Sequence, residues 1–168
     1  LPSIEEFDDH IEHLWQTQNY VPYIVNYLIR YHYVRNQDLF FDFVDTKKAT
    51  EDTTKNYMLY ERKKLQMTYI RNVYKTHHKY GQLTTVIDNE RFLHAVKQSK
   101  SKLPICDSME TIGYYVQKYS FNQLGEGALL KVIVNHYKND INKLKQISDS
   151  RSTALGVLLT SYNIVYHD

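Results

Sequence analysis

Apolar residues recur three and four positions apart from the first turn of the chain. Ile4, Phe7, Ile11, Leu14 and Trp15 follow Pro2 and a Ser3–Glu6 pair at capping-box spacing, which predicts a helix that Asn19 ends. Pro22 stands where a first-turn proline belongs, so a second helix is expected from about Val21 to Tyr33. Tyr23, Ile24, Tyr27, Leu28 and Tyr31 make that helix apolar around most of its circumference, which places it centrally. Asn36 or Asp38 then caps "NQDLFFDFVDTKK", residues 36–48, with Leu39, Phe40 and Phe43 on one face and Asp42 and Asp45 on another. The polar run "TKKATEDTT" reads as a connection.

The next pattern predicts a long helix from about Thr54 to Tyr80, with Tyr57, Tyr60, Met67, Ile70, Val73, Tyr74 and His77 inward and Gly81 as its stop. Further helices are expected from Asp88 to about Gln98 and from an Asp107 cap through Tyr119, with Met109, Ile112, Tyr115 and Val116 inward. Glu126 to Lys138, Asp140 to Ser148 and Ser152 to Tyr166 complete the series, with Asp140 and either Ser150 or Ser152 as caps. Only "LTTVI", residues 83–87, offers a candidate strand, and no internal repeat or low-complexity segment interrupts the series. The expected fold class is all-α.

Composition leaves that picture standing. The 168 residues are 24% charged and 42% apolar, which is the balance of one folded domain and excludes a disordered chain. Sixteen tyrosines against five glycines and three prolines suit thin helical layers with many surface-grazing positions, although an AT-rich genome would give the same bias. Cys106 is the sole cysteine, which excludes an internal disulfide. No signal-peptide pattern opens the chain, and its start without Met suggests a piece of a longer protein. The longest nearly apolar run, Ala154 to Tyr166, is broken by Thr160, Ser161 and Asn163 and is too short to span a bilayer. The expected location is intracellular, either cytoplasmic or peripheral to a membrane.

Charge changes the picture more. The net charge of +2 conceals eight acids against two arginines in residues 1–45, a balance of −6, and eleven Lys or Arg against three acids in residues 55–102, a balance of +8. Such polarity either steers an acidic partner or marks two solvated faces. Arg62, Lys63, Lys64, Arg71, Lys75 and Lys79 form the candidate basic surface. With Lys55, and among tyrosines, they could meet phosphates and stack on bases, but on one helix they would spread around the axis instead of forming a stripe. Leu129, Leu130, Ile141, Leu144 and Arg151 also sit at offsets resembling a three-helix DNA-binding unit, without the usual tryptophans.

Catalytic signatures are sparse. "LGEGALLKV" has Leu130 where a kinase loop needs its third glycine, and neither an H-R-D-type loop nor D-F-G follows. His10 and His13 share a face with Glu6 and Asp9, a spacing common on solvated helices, and adjacent His77 and His78 would point about 100° apart on a helix. No metal, no cofactor and no catalytic residue is expected, and the chain does not read as an enzyme.

In order, the segments resemble an RGS (regulator of G-protein signalling) homology domain over residues 2–124. "PSIEEFDDHIEHLWQTQNYVPYIVNYL" is similar to that family's opening, with Tyr23, Tyr27 and Leu28 at its Phe-x-x-Phe-Leu positions. "NQDLFFDFVDTKK" resembles its Glu-Glu-Asn-Leu-x-Phe-Trp segment, with Asp38 for Asn and Asp42 for Trp. "YIRNVYKTHHKYGQLTTVIDNERFLHAV" and "CDSMETIGYYVQKYSFNQL" resemble its later helices. The resemblance implies a bundle of about nine helices in residues 1–124, with 125–168 as a helical extension packed on it. It also implies binding of a G-protein α-subunit or related signalling partner through Asn36, Gln37, Asp38, Thr85, Val86, Tyr119, Ser120 and Gln123. Asp38 stands at one contact Asn, and either Thr85 or Val86 at the second. Tyr119 replaces an Asp and Gln123 an Arg, while Ser120 is retained. A carboxylate cannot donate the hydrogen bond an amide can, so GTPase activation is expected to be weak or absent. The alternative is a non-catalytic scaffold that binds another protein or an acidic membrane through the basic half. Nucleic acid is the weakest of these expectations.

Overall fold

Ser3 caps the first helix as the sequence predicts. Its hydroxyl accepts from the Glu6 N–H at 3.1 Å, and the Glu6 carboxylate accepts from the Ser3 N–H at 3.3 Å. The helix, α1 (Ile4–Gln16), buries Ile4, Phe7, Ile11 and Leu14 along one stripe. The computed structural model describes residues 1–162. α2 (Tyr20–His32) carries Pro22 in its first turn and buries every residue from Tyr23 to Arg30. Ile24, Leu28 and Ile29 are fully enclosed, so truncating any one to Ala should cost about 2–5 kcal/mol. Tyr33 ends α2 in the left-handed region (φ 57°, ψ 37°) and sends the chain out extended.

From there the all-α expectation fails. Asn36–Leu39 is a single 3-10 turn, followed by a short strand, β1 (Asp42–Val44). The region expected as one helix from Thr54 to Tyr80 is instead β2 (Tyr57–Glu61), a 3-10 turn at Arg62–Lys64, β3 (Gln66–Arg71) and one helical turn, α3 (His77–Tyr80). "LTTVI" is indeed a strand, β4 (Leu83–Ile87). The sheet runs β1-β2-β3-β4, with β1 parallel to β2 and the other pairs antiparallel. The class is mixed α/β, with eight α-helices among the described residues, and the nine-helix bundle is not this chain's fold.

The misreading has a physical cause. Both faces of β2 and β3 are occupied, so their apolar residues do not alternate with polar ones. Met58, Met67 and Tyr69 face the main core, while Tyr57, Leu59 and Ile70 join Val44 in a small second cluster. The crossover between β1 and β2 covers that outer side: its Lys47–Thr50 turn packs on both strands, and the Tyr57 hydroxyl donates to the Asp52 carbonyl at 2.6 Å. The hairpin also lacks the usual Gly or Asn signal, because Leu65 takes the positive φ (49°).

α4 (Glu90–Gln98) is capped by Asn89, whose side chain accepts from the Phe92 N–H at 3.0 Å. α5 (Ile112–Tyr119) follows a 3-10 turn at Met109–Thr111, so Asp107 is not its cap. α6 (Glu126–His136), α7 (Ile141–Ser150, capped by Asp140) and α8 (Leu155–Ser161) close the described chain. The expected helical position Tyr166 lies outside the described residues. α2 packs against α1, α4, α5 and α6, and one hydrophobic core runs from Ile4 to Leu158, on both sides of residue 124. Buried Asn26 ties α2 to the end of α5. Its amide donates to the Pro22 and Tyr119 carbonyls at 2.7 and 3.0 Å, and its oxygen accepts from the Phe121 N–H at 2.9 Å.

Among the described residues, no helix is long and apolar enough to cross a membrane.

Candidate functional site

Where α2 ends, the left-handed Tyr33 delivers Val34 and then an extended Arg35 (φ −93°, ψ 168°) to the Asn36–Leu39 turn. The Asp38 carboxylate fixes that turn by accepting from the Arg35 backbone N–H at 3.2 Å. It also faces the Arg71 guanidinium at 3.3 Å, at the end of β3, with the two side chains 2% and 5% exposed. The Tyr69 hydroxyl donates to the Asp38 carbonyl, and the Arg71 guanidinium lies over the Tyr69 ring at 4.9 Å. Burial pushes the Asp38 carboxyl above its ordinary value, against the pull of Arg71 and Arg35. Asp38 Oδ1 and Arg71 Nε have no partner among the described residues, so the pair locates the turn on the sheet at a desolvation cost.

A second arginine arrives from the far end of the chain. Arg151 caps α7, and its Nη1 donates to the Tyr33 carbonyl and to Glu126 Oε1, both at 2.8 Å. Glu126 opens α6, so one guanidinium joins the ends of α2, α6 and α7. Arg35 Nη1 in turn donates to the Arg151 carbonyl at 2.8 Å. Burial and the nearby Arg151 charge push the Arg35 guanidinium below its usual value. The Tyr162 phenol is raised by burial, with Arg151 and Arg35 pulling it down and Glu126 pushing it up, so it shares the same field. Three arginines against Asp38 and Glu126 leave this centre net positive.

The segment after β3 is fastened beside it. Thr76 Oγ1 donates to the Ser152 carbonyl at 3.0 Å, linking the Lys75–Lys79 stretch to the residue that follows Arg151. The Tyr74 hydroxyl closes that loop on the Gly81 carbonyl at 2.6 Å, and Gly81 takes a positive φ of 72°. Lys75 and Lys79 are exposed. Among the described residues, both Arg35 and Arg151 hydrogen-bond through Nη1, and the Arg151 side chain is 7% exposed. Guanidinium donors of this kind match the paired oxygens of a phosphate or carboxylate.

The residues singled out from sequence do not assemble as expected. Asp38 and Ser120 are interior, at 2% and 4% exposure, so the eight-residue partner face is not one exposed surface. Asn36 and Gln37 are half-buried in the turn. The pleat of β4 separates the two candidates for one contact: Thr85 pairs with Tyr69 on the inner face, and Val86 is 55% exposed on the outer. Tyr119 is half-buried at the end of α5, and Gln123 is exposed beyond it. Of the basic set, Arg62, Lys63 and Lys64 are exposed on the β2–β3 hairpin, Arg71 is buried against Asp38, and Lys75 and Lys79 lie past the opposite end of β3.

Arg35 was not singled out, and Arg151 stood out only as one offset in a helical pattern. The Arg35–Asp38 spacing signals a local cap and nothing more; the partner that makes a centre of it is 116 positions away. Among the described residues, no group of three or more His, Cys, Asp or Glu side chains could hold a metal ion. No protein-family model matches the chain, and no curated protein or solved structure matches it either.

Proposed function

We propose that this chain is a nucleic-acid-binding module that grips a backbone phosphate between Arg35 and Arg151. The observation that carries the reading is the Arg35 guanidinium held on the Arg151 carbonyl, in a net-positive centre beside exposed Lys75 and Lys79. Screening is weak in such a place, and an anion there gains more than on the open surface. A polymer fits better than a small acid because further cations lie along the molecule. Lys75 and Lys79 flank the centre, and Arg62, Lys63 and Lys64 stand at the other end of β3. Six strand residues separate those ends by roughly 17 Å, which about five successive phosphates would span. Such a ligand places the protein inside the cell.

Binding of labelled DNA and RNA, duplex and single-stranded, at several salt concentrations tests the reading. Arg35→Ala should weaken binding at least tenfold and flatten the salt dependence by about one unit of slope. A wild-type protein that binds none of them at low salt would sink it.

A G-protein α-subunit partner would have to use exposed positions such as Val86 and Gln123, and retention of GDP–AlF4-loaded subunits that Val86→Asp abolishes would favour it instead.

A further inference from the structure

A groove of about 840 Å3 opens at the end of the sheet away from the arginine centre, between the β2–β3 hairpin and the C-terminal end of α4. Its volume falls in the roughly 300–1,000 Å3 range of clefts that hold small ligands. Phe43 of β1 and Tyr60 of β2 line it on the helix-facing side of the sheet, where neither ring is fully buried. Arg62 enters from the hairpin, Lys97 from the last turn of α4, and Lys100 from the turn that follows. Asp45 is the one acid in its lining, and Lys63, Lys64 and Lys102 are exposed at neighbouring positions. Lys97 Nζ now lies over the Tyr60 ring at 4.9 Å.

We infer that this groove is a subsite for an unpaired nucleotide, its base stacked on Tyr60 and its phosphate held by Arg62, Lys97 and Lys100. The inference rests on the nucleic-acid reading above and extends it to strand state. Aromatic faces interleaved with cations are what a single strand needs: every base has a π-face, and each nucleotide carries one negative charge. A cation over an exposed ring is held weakly, so Lys97 can leave Tyr60 to a base and turn to the adjacent phosphate. A fully paired duplex keeps its bases stacked on one another and cannot offer one to Tyr60. The preferred ligand is therefore a duplex with an unpaired tail, its paired part on Arg35 and Arg151 and its tail reaching the groove.

Fluorescence anisotropy with a blunt duplex and with the same duplex carrying a ten-nucleotide tail provides the test, using wild type, Tyr60→Leu, Lys97→Glu/Lys100→Glu and Arg35→Ala. The groove variants should lose tenfold or more on the tailed probe and less than threefold on the blunt one, whereas Arg35→Ala should weaken both. Lys97 and Lys100 are exposed, so the double charge reversal carries the test even if Tyr60→Leu does not fold. Equal losses on both probes, or none on either, would overturn the groove while leaving an Arg35-dependent interaction intact. Failure of wild type to bind either probe would overturn the nucleic-acid reading itself. Binding to phosphatidylserine vesicles that the double variant abolishes, with no effect on tailed DNA, would assign the groove to a membrane and overturn the inference.

Discussion

Asp38 and Arg71 meet at 3.3 Å in the interior, one from the turn after α2 and the other from the end of β3. Each has a polar atom left unpartnered among the described residues, so the pair locates the turn more than it stabilises the fold. Asp38→Ala would strand a buried guanidinium and should lower stability by about 3–5 kcal/mol. Asp38→Leu/Arg71→Met should recover most of that loss. Urea unfolding of both variants measures the difference, and equal losses would show that the pair is not coupled.

His32, at the end of α2, is held down to about 4 by burial and then by the Arg71 charge. A depressed value means that the neutral ring is the form the fold favours. Its contribution is present above the unfolded value of 6.5 and is lost as pH falls through about 4. Wild type should lose about 3 kcal/mol over that window, and His32→Gln should lose much less. Asp38 acts in the opposite sense: its carboxyl is raised, so its contribution is greatest at low pH and falls as pH rises through its folded value. Comparing denaturation of the two proteins at pH 7 and pH 4 isolates His32.

Asn56 holds the segment that leads into the Lys75 loop. Its oxygen accepts from the Asn72 and Val73 N–H groups at 2.8 and 2.7 Å, and its amide donates to the Val73 carbonyl at 2.8 Å. Asn56→Ala should cost about 2–4 kcal/mol, because buried backbone groups lose their partners. It should also raise amide exchange across residues 72–80. Protection of that stretch unchanged from wild type would refute the linkage.

Lys75 and Lys79 are exposed beside the arginine centre, whereas Lys131 lies on α6. Lys75→Ala and Lys79→Ala should each reduce the slope of log K against log salt by about 0.7–0.9. Lys131→Ala serves as the control and should leave it unchanged. Equal slopes for all three variants would detach the loop from the interface.

The helices were legible where local chemistry speaks. The Ser3–Glu6 box, Pro22 and Asp140 mark their starts because a cap is settled within four residues, and the α4 start expected at Asp88 falls one residue before its Asn89 cap. β4 was legible because one of its faces meets solvent at Thr84 and Val86. β2 and β3 were not: Tyr57 and Leu59 are as buried as Met58, and a strand covered on both sides has no alternation to read. Asp38 drew attention as a departure from a family pattern, but its role follows from Arg71, 33 positions later. The arginine centre was illegible for the same reason at greater range, since Arg35 acquires its meaning only from Arg151.

The hydrogen bond from Arg35 to the Arg151 carbonyl gives the protein a built-in order of events. A chain emerging from the ribosome displays Arg35 and the whole sheet long before Arg151 exists. Until α7 is complete, the Tyr33 carbonyl and Glu126 lack the cation that gathers them. Assembly of this centre thus waits for α7, after the sheet and α6 have already been made.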